Sequence, residues 1–172
     1  MEQPSRSFAP TSMSNTVALI LGSLPGRRSL EERQYYAQPR NSFWRIMGEL
    51  FDAGPELAYA KRIQRLGQCG IALWDVVASA ERPGSLDSSI VEASVEINDF
   101  YKLFKNYPHI QFVYFNGAKA AKLFEQRVLP ILKGDFEQIC YERLPSTSPA
   151  NAATCFEEKL SRWSSVKLAL ER

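Results

Sequence analysis

The sequence predicts an α/β fold of three layers, in which a parallel sheet of four strands lies between helices on both faces. Four short apolar runs are separated by segments of helical periodicity, a pattern typical of β-α-β units. The first three runs are apolar at nearly every position, which indicates strands covered on both sides. A chain of 172 residues suits one domain with its own core. We expect a flexible tail over residues 1–15 and one domain over residues 16–172.

The elements are assigned from the period of the apolar residues. Strands are predicted at residues 16–21, 70–77, 111–116 and 137–144. The helix predicted from Asn98 is expected to have Asn98 as its N-cap and to end before Pro108. Helices are predicted for SFWRIMGELFDA after Asn41, PELAYAKRIQRLG from Pro55, NDFYKLFKNY from Asn98, GAKAAKLFEQRVLPIL from Gly117 and CFEEKLSRWSSVKLALER from Cys155.

Composition and charge limit the classes of function. Hydrophobic residues make up 45% of the chain and the net charge is only +2, which describes a globular protein without a strong basic field. Contacts with nucleic acid would therefore depend on basic residues gathered locally. The candidates are Arg27, Arg28, Arg33, Arg40, Arg45, Lys119 and Lys122.

The cysteine and histidine content argues against metal chemistry. The three cysteines form no CxxC pair and the chain has one histidine, so we expect no metal site. An odd number of cysteines and the lack of a secretory segment favour the reducing cytoplasm. The apolar run at 16–21 is too short to span a bilayer, and no membrane association is expected.

Each predicted strand ends in a loop of unusual composition. The carboxyl ends of parallel strands lie at the same edge of a sheet, which is where such folds bind ligands. We therefore expect the four loops to form one site. They are GSLPGRRSL at 22–30, ERPGSLDSSI at 81–90, FNGAK at 115–119 and LPSTSPANAA at 144–153.

The stretch YYAQPRNSFWRIM at 35–47 places flat aromatic rings beside the amide of Asn41. This combination suits a flat ligand such as a nucleobase. Asn116 follows a buried strand, and its side-by-side acceptor and donors can pair with the edge of a heterocycle. The alternatives are structural: Asn41 and Asn116 as helix caps, and Phe43 and Trp44 as core residues.

Two loops are suited to contacts with the ligand backbone. Gly22, Pro25 and Gly26 form a tight turn that can direct backbone N–H groups at a ligand. The PSTSP segment at 145–149 offers three hydroxyls and precedes a helix, a combination that binds phosphate oxygens well. The alternatives are a simple connection and a capping loop without a ligand.

Together, GSLPG, YYAQPRNSFWRIM, FNGAKA and LPSTSPAN resemble the uracil-DNA glycosylase superfamily, and most closely its hypoxanthine (deoxyinosine) branch, called family six. The resemblance extends from about Gly22 to Asn151. It implies that a base is flipped out of DNA and its N-glycosidic bond hydrolysed, without a metal or organic cofactor. The implied partner is double-stranded DNA with deaminated bases, with single-stranded DNA as a second form, bound by a monomer.

The resemblance also implies roles for individual residues. Asn41 would hold the hydrolytic water, while backbone N–H groups near Ser23 would stabilise the leaving base. Mismatch-type relatives carry a catalytic asparagine in the first loop, and the polar residue of this chain there is Ser23. Leu144 stands where several branches have a histidine. Base binding is assigned to Gly22, Leu24, Phe43 and Asn116, and DNA binding to Pro145, Ser146, Thr147, Ser148, Pro149, Ala150, Asn151 and Lys119.

The base edge leaves two substrates open. Hypoxanthine and uracil both present a carbonyl beside a ring N–H, whereas adenine presents the opposite order. Asn116 would accept either deaminated base and reject adenine, because a buried mismatch costs about 1–3 kcal/mol. We expect hypoxanthine release in base excision repair, with uracil release from G·U mismatches as the alternative. A catalytically silent nucleic-acid-binding domain of the same fold is the alternative from another class.

Overall fold

The computed structural model describes residues 3–11 and 14–171. The strands of the described chain are β1 (Ser5–Arg6), β2 (Ala18–Gly22), β3 (Ile71–Asp75), β4 (Val77–Ala80), β5 (Glu96–Ile97), β6 (Phe112–Asn116) and β7 (Cys140–Leu144). Its α-helices are α1 (Arg27–Glu32), α2 (Phe43–Phe51), α3 (Tyr59–Gln68), α4 (Phe100–Asn106), α5 (Ala118–Arg127), α6 (Leu129–Leu132) and α7 (Phe156–Leu170).

The central sheet has four parallel strands in the order β3-β2-β6-β7. Its register aligns the strand ends, because Gly22 pairs with Asp75, Leu21 with Phe115, and Asn116 with Leu144. The predicted parallel sheet is confirmed, with strand boundaries that differ from the prediction by at most three residues. The carboxyl ends of all four strands consequently lie at one edge.

The alternation of side chains along each strand divides the core in two. On β2, Leu19 and Leu21 pack in the cluster that includes α4, α5 and α6. Ala18 and Ile20 pack in the opposite cluster with residues of α2, α3 and α7. The five residues of β2 are all buried, as the continuous apolar run predicts. Helices on both faces make this the expected three-layer sandwich.

A second, small antiparallel sheet has the order β1-β4-β5 and was not predicted. Strands of two residues are too short to show a period in the sequence. Residues near β1 also contact the main sheet: Trp74 Nε1 donates to the Phe8 carbonyl at 2.9 Å, and Leu73 N donates to Thr11 Oγ1 at 2.8 Å. These contacts tie residues 5–11 to the fold, in contrast to the flexible tail expected for 1–15. Residues 1, 2, 12 and 13 lie outside the described part of the chain.

The helices differ from the prediction at their ends. The cap of α4 is Asp99 and not Asn98, since Lys102 N donates to Asp99 Oδ1 at 3.0 Å. The helix predicted from Gly117 is divided into α5 and α6 near Pro130, because proline lacks the N–H that would continue the ladder. The short α1 was missed. No described helix is long and apolar enough to span a membrane.

Candidate active site

A cleft of about 790 Å³ opens at the carboxyl edge of the main sheet. All four predicted loops contribute to its wall. Gly22, Ser23 and Leu24 follow β2, Asn116 ends β6, and the segment from Ser146 to Asn151 follows β7. Asn41 lines the cleft as well. The structure therefore brings together most of the residues that the sequence singled out.

Asn41 precedes α2 and lines the cleft, and the oxygen of its side-chain amide is engaged in a hydrogen bond. Its Oδ1 accepts a hydrogen bond from Phe43 N at 2.9 Å, an Asx turn that leads into the helix. Within the described chain, its Nδ2 group has no hydrogen-bond partner. Asn41 thus has a structural role at the helix entrance and retains N–H groups for a ligand or water in the cleft.

Phe43 does not occupy the position predicted for a base-stacking ring. Its side chain is fully buried against Trp44 and Trp163 and lies outside the cleft. The ring at the cleft wall is Tyr36, which stacks on Phe43 with a centroid distance of 3.9 Å. Phe43 supports this ring from behind. The prediction for Phe43 is corrected: it is a core residue.

Tyr36 carries two further signs of a functional position. Its φ is 55°, in the left-handed region that a bulky side chain adopts at a cost of about 1–3 kcal/mol. Among the described residues, its buried hydroxyl has no hydrogen-bond partner, and the Asn116 side chain lies close to it. Burial raises the pKa of this hydroxyl and the nearby Asp75 charge acts in the same direction, so the group is protonated at neutral pH. A buried O–H in this position is available to a ligand in the cleft.

The amide of Asn116 is held by two hydrogen bonds to one residue. Thr147 N donates to Asn116 Oδ1 at 2.9 Å, and Asn116 Nδ2 donates to Thr147 Oγ1 at 2.9 Å. The Thr147 carbonyl in turn accepts from Ser42 N and Ser42 Oγ at 3.0 and 3.2 Å. Thr147 is 1% exposed, so its predicted contact with DNA is corrected: its polar groups face the protein.

Two loops meet at Ser23. Its hydroxyl donates to Asp87 Oδ1 at 2.5 Å, and Asp87 also lines the cleft. The buried guanidinium of Arg82 donates to the carbonyls of Leu24 and Pro25. These bonds fix the loop after β4 to the turn after β2, and they place a carboxylate beside the serine.

Asp75 forms part of the cleft floor at the end of β3. A Cβ at Gly22 would lie 2.8 Å from Asp75 Oδ1 and 3.3 Å from Tyr36 Oη, so only glycine fits between these groups. Burial raises the pKa of the Asp75 carboxyl to about 7 and the nearby Asp87 charge acts in the same direction, while a hydrogen bond from Ser7 opposes both. The floor thus carries a carboxyl group that keeps its proton to a higher pH than an ordinary aspartate does.

The last loop is internally braced. Ser148 N donates to Ser146 Oγ at 3.2 Å, Ala150 N donates to Ser148 Oγ at 3.2 Å, and Asn151 Nδ2 donates to the Ser146 carbonyl at 3.1 Å. The hydroxyls cap their own loop and still line the cleft together with Pro149.

Two residues of the predicted DNA-binding set do not line the cleft. The Pro145 carbonyl accepts from Trp163 Nε1 at 2.9 Å. The Lys119 ammonium pairs with Glu92 at 2.7 Å, because α5 directs it to the loop before β5. Pro145 and Lys119 thus lie outside the cleft, and their contacts with DNA stay predictions.

The positive charge at the cleft comes from arginines. Arg27, Arg28 and Arg40 are exposed and line the cleft. Arg28 forms an exposed pair with Glu32 at 2.7 Å, which is weak in water. Among the described residues, no cluster of three His, Cys, Asp or Glu side chains could hold a metal ion.

Sequence reasoning missed Tyr36, Asp75 and Asp87. Each lies in a segment that was recognised: the aromatic stretch, the end of the second strand and the loop at 81–90. The signal for Asp75 was a carboxylate at the end of an otherwise apolar run.

Comparisons with known proteins identify the family to which the chain belongs. The family model of the uracil DNA glycosylase superfamily matches residues 10–167, and the chain belongs to that superfamily. A Methanosarcina acetivorans protein named hypoxanthine DNA glycosylase is 38% identical over 164 residues, which are 94% of this chain and 96% of that protein. A Methanosarcina barkeri protein of the same name is 39% identical over 116 residues, 67% of this chain and 72% of that protein. A solution NMR structure of a Methanosarcina acetivorans protein has a TM-score of 0.80 and 36% identity, and the match covers 99% of this chain and all of that one.

The raised pKa of Asp75 predicts a pH-dependent stability. Between its ordinary pKa of 3.8 and the folded value of about 7, the folded chain binds more protons than the unfolded chain, so this group's stabilisation falls as pH rises. Asp75→Asn removes the titrating group and should abolish the fall in unfolding free energy that this group causes between about pH 4 and 7. Urea unfolding at several pH values measures this, with exposed Asp135→Asn as the control. A parallel decline in Asp75→Asn and wild type would contradict the prediction.

The hydroxyl of Thr147 is expected to matter more than its methyl group. Thr147→Val leaves the buried Asn116 Nδ2 group without an acceptor, which costs about 1–3 kcal/mol of unfolding free energy. Thr147→Ser keeps the acceptor and loses only a methyl group, so its cost should be smaller. Urea unfolding of the two variants measures the difference. If Val were tolerated better than Ser, the bond to Asn116 would not stabilise the fold.

Proposed function

We propose that this chain is a monofunctional DNA glycosylase that removes hypoxanthine from deoxyinosine in DNA. The observation that carries the proposal is the amide of Asn116, held in one orientation at the base of a cleft of nucleotide size. The names of the Methanosarcina relatives support the choice of hypoxanthine. The arginines at the cleft rim support a polyanionic substrate, which we take to be duplex DNA bound by a cytoplasmic monomer.

The orientation of the Asn116 amide supports base selection. Because Thr147 N–H binds Oδ1 and Thr147 Oγ1 accepts from Nδ2, the oxygen and nitrogen ends of the amide are distinguished. One lone pair and one N–H remain for a ligand. They complement the N1–H and O6 of hypoxanthine. Adenine has an acceptor at N1 and an amino donor at C6. Its N1 would therefore face the acceptor Oδ1 of Asn116, and its amino group would face the donor Nδ2.

The aromatic wall supports a flat ligand. Tyr36, supported by Phe43, offers a ring on which an extruded base can stack, and such stacking is worth about 1–3 kcal/mol. Extrusion itself costs a few kcal/mol and costs less for a poorly paired base such as hypoxanthine. The stacking energy therefore offsets a large part of the cost of extrusion.

The turn after β2 is suited to stabilise the leaving base. The carbonyls of Gly22, Ser23, Leu24 and Pro25 accept from Val76 N, Val77 N and the Arg82 guanidinium. In a peptide plane the carbonyl of one residue and the N–H of the next point in opposite directions, so the N–H groups of Ser23, Leu24 and Gly26 are directed away from those partners. Pro25 has no N–H. We assign these three N–H groups to the negative charge that develops on the base as the bond from C1′ breaks.

Water then forms a bond to C1′, and its proton passes to the departing base anion, which completes hydrolysis and yields the free base and an abasic strand. We assign the positioning of this water to Asn41, through the part of its amide that the Asx turn does not use. Ser23, with its bond to Asp87, is the second candidate for a contact with the water. No lysine lines the described cleft, which supports hydrolysis over a Schiff-base mechanism.

The substrate proposal is tested with duplexes that carry one inosine, uracil, xanthine or adenine in the same sequence context. We expect inosine strands to be cut faster than uracil strands after alkali treatment, and adenine strands to stay intact, because only the deaminated edges match Asn116. A preference for uracil would assign the chain to uracil release. Absence of cleavage in the whole panel would favour the silent DNA-binding domain.

The role of Asn41 is tested by two substitutions. Asn41→Ala removes the whole amide and should lower single-turnover cleavage of inosine by about 100-fold or more, the size typical of positioning groups. It should also cost roughly 1 kcal/mol of stability through the lost bond to Phe43 N. Asn41→Asp keeps that bond and controls for stability. Should Asn41→Ala cleave at the wild-type rate, Asn41 acts only at the helix entrance.

A further inference from the structure

The floor of the cleft carries a second polar side chain, Asp75, on the opposite side of β2 from Asn116. Gly22 pairs with Asp75, and Asn116 stands one residue beyond the last pair that joins β2 to β6. Because β3 and β6 are both neighbours of β2, two strand spacings of together about 9–10 Å separate their backbones. Asn116 and Asp75 therefore mark the two ends of this part of the floor, and Gly22 lies between them.

The carboxyl group of Asp75 is held with one oxygen toward Gly22. Ser7 Oγ donates to Oδ2 at 2.9 Å, and Oδ1 lies 2.8 Å from the point that a Cβ on Gly22 would occupy. Gly22 has no side chain, so it leaves Oδ1 uncovered, and both residues line the cleft. Asp75 is only 3% exposed, and a hydrogen bond to a ligand at such a dry position discriminates strongly between ligands.

A hydrogen bond from Asp75 to a ligand requires that the carboxyl group keeps its proton. Burial raises the pKa of Asp75 to about 7, and the charge of Asp87 acts in the same direction, while Ser7 and Arg82 oppose both. The other titratable groups whose charges would act on Asp75 are Tyr35, Tyr36 and Tyr59. Burial raises the pKa of all three hydroxyls, so they are neutral and leave the balance at Asp75 unchanged.

A purine differs from a pyrimidine by a fused imidazole ring, which carries an acceptor nitrogen at N7. When O6 and N1–H of hypoxanthine meet Asn116, this second ring extends the base beyond the length of a pyrimidine. Uracil has only a C–H group on the corresponding edge. We propose that the carboxyl group of Asp75 donates a hydrogen bond to N7 of the extruded hypoxanthine, and that this contact selects a purine over a pyrimidine. The inference rests on the proposed function and deepens it, because Asn116 alone accepts both bases.

The contact at N7 also assists cleavage of the glycosidic bond. As the bond between C1′ and N9 breaks, its electron pair stays on N9, and the negative charge spreads over the imidazole ring to N7. A donor at N7 is therefore bound more strongly in the transition state than in the ground state. The proton remains on Asp75 throughout, since only a hydrogen bond is involved. A carboxylate at this position would instead repel the lone pair of N7.

The hydroxyl of Tyr36 is the alternative donor at this part of the floor. Its Oη lies 3.3 Å from the same point above Gly22. In the proposed complex, however, the base stacks on the face of the Tyr36 ring. The hydroxyl lies in the plane of that ring and is therefore offset from the plane of the base, where the lone pair of N7 points. We assign the contact to Asp75, and the test distinguishes the two donors.

The test uses duplexes that carry one inosine, 7-deazainosine or 3-deazainosine, in which a C–H group replaces N7 or N3. Single-turnover rates give the preference for inosine over each analogue, and comparing preferences between proteins cancels the intrinsic lability of each nucleotide. Asp75→Leu should lower the preference over 7-deazainosine by about tenfold or more, and the preference over 3-deazainosine by less than about twofold. Tyr36→Phe keeps the ring without the hydroxyl and should preserve both preferences.

A pH series on the wild-type chain gives a second measurement, which does not depend on the folding of a variant. Between about pH 6 and pH 8.5 Asp75 loses its proton, so the preference for inosine over 7-deazainosine should fall by about tenfold. Asp75→Asn has an amide that donates at every pH in this range, so its preference should stay constant.

Three results would overturn the assignment to Asp75. They are a preference over 7-deazainosine that is unchanged in Asp75→Leu, one that is constant across the wild-type pH series, and one that Tyr36→Phe lowers as much as Asp75→Leu does. Failure of the wild-type chain to cleave inosine at any pH would instead overturn the proposed function.

Discussion

The register of the parallel sheet is the constraint on which the site depends. Central β2 is bonded on both sides, and this pairing sets Gly22 level with Asp75 and places Asn116 one residue beyond the Leu21–Phe115 pair. A shift by one residue would turn the buried side chains of β2 to the wrong face and separate these groups. The chemistry at the cleft is thus specified by apolar residues that never contact it.

The sequence contains most of the information about the main fold. The apolar runs predict β2, β3 and β6 clearly because burial on both faces leaves few polar positions in them. Edge strand β7 is largely exposed and carries Glu142 and Arg143, so its signal is weaker. The small sheet could not be found in the same way, since β1 and β5 have two residues each and are defined by long-range pairing. The contacts of Phe8 and Thr11 were missed for the same reason: nothing in their local sequence specifies a distant partner.

At the site, the residue types were easier to predict than their directions. Asn41 and Asn116 lie at the cleft, as their loops predict. Whether Phe43 or Tyr36 forms the aromatic wall depends on the left-handed backbone at Tyr36, which cannot be predicted from the sequence because the residue is not glycine. The PSTSP sequence shows three hydroxyl groups, but it does not show which of them faces the protein interior. Thr147 faces inward because it forms hydrogen bonds with Asn116, and these bonds exist only in the assembled fold.

Thr147 joins parts of the chain that are far apart in sequence. Its bonds to Asn116 and Ser42 span 31 and 105 residues. Bringing residues of this separation together costs loop-closure entropy, which these hydrogen bonds help to offset in the folded chain. The amide at the end of β6 and the entrance of α2 are therefore held through the same residue. Neither Asn116 nor Ser42 has this partner until the loop after β7 is in place, so the cleft is complete only in the fully folded chain.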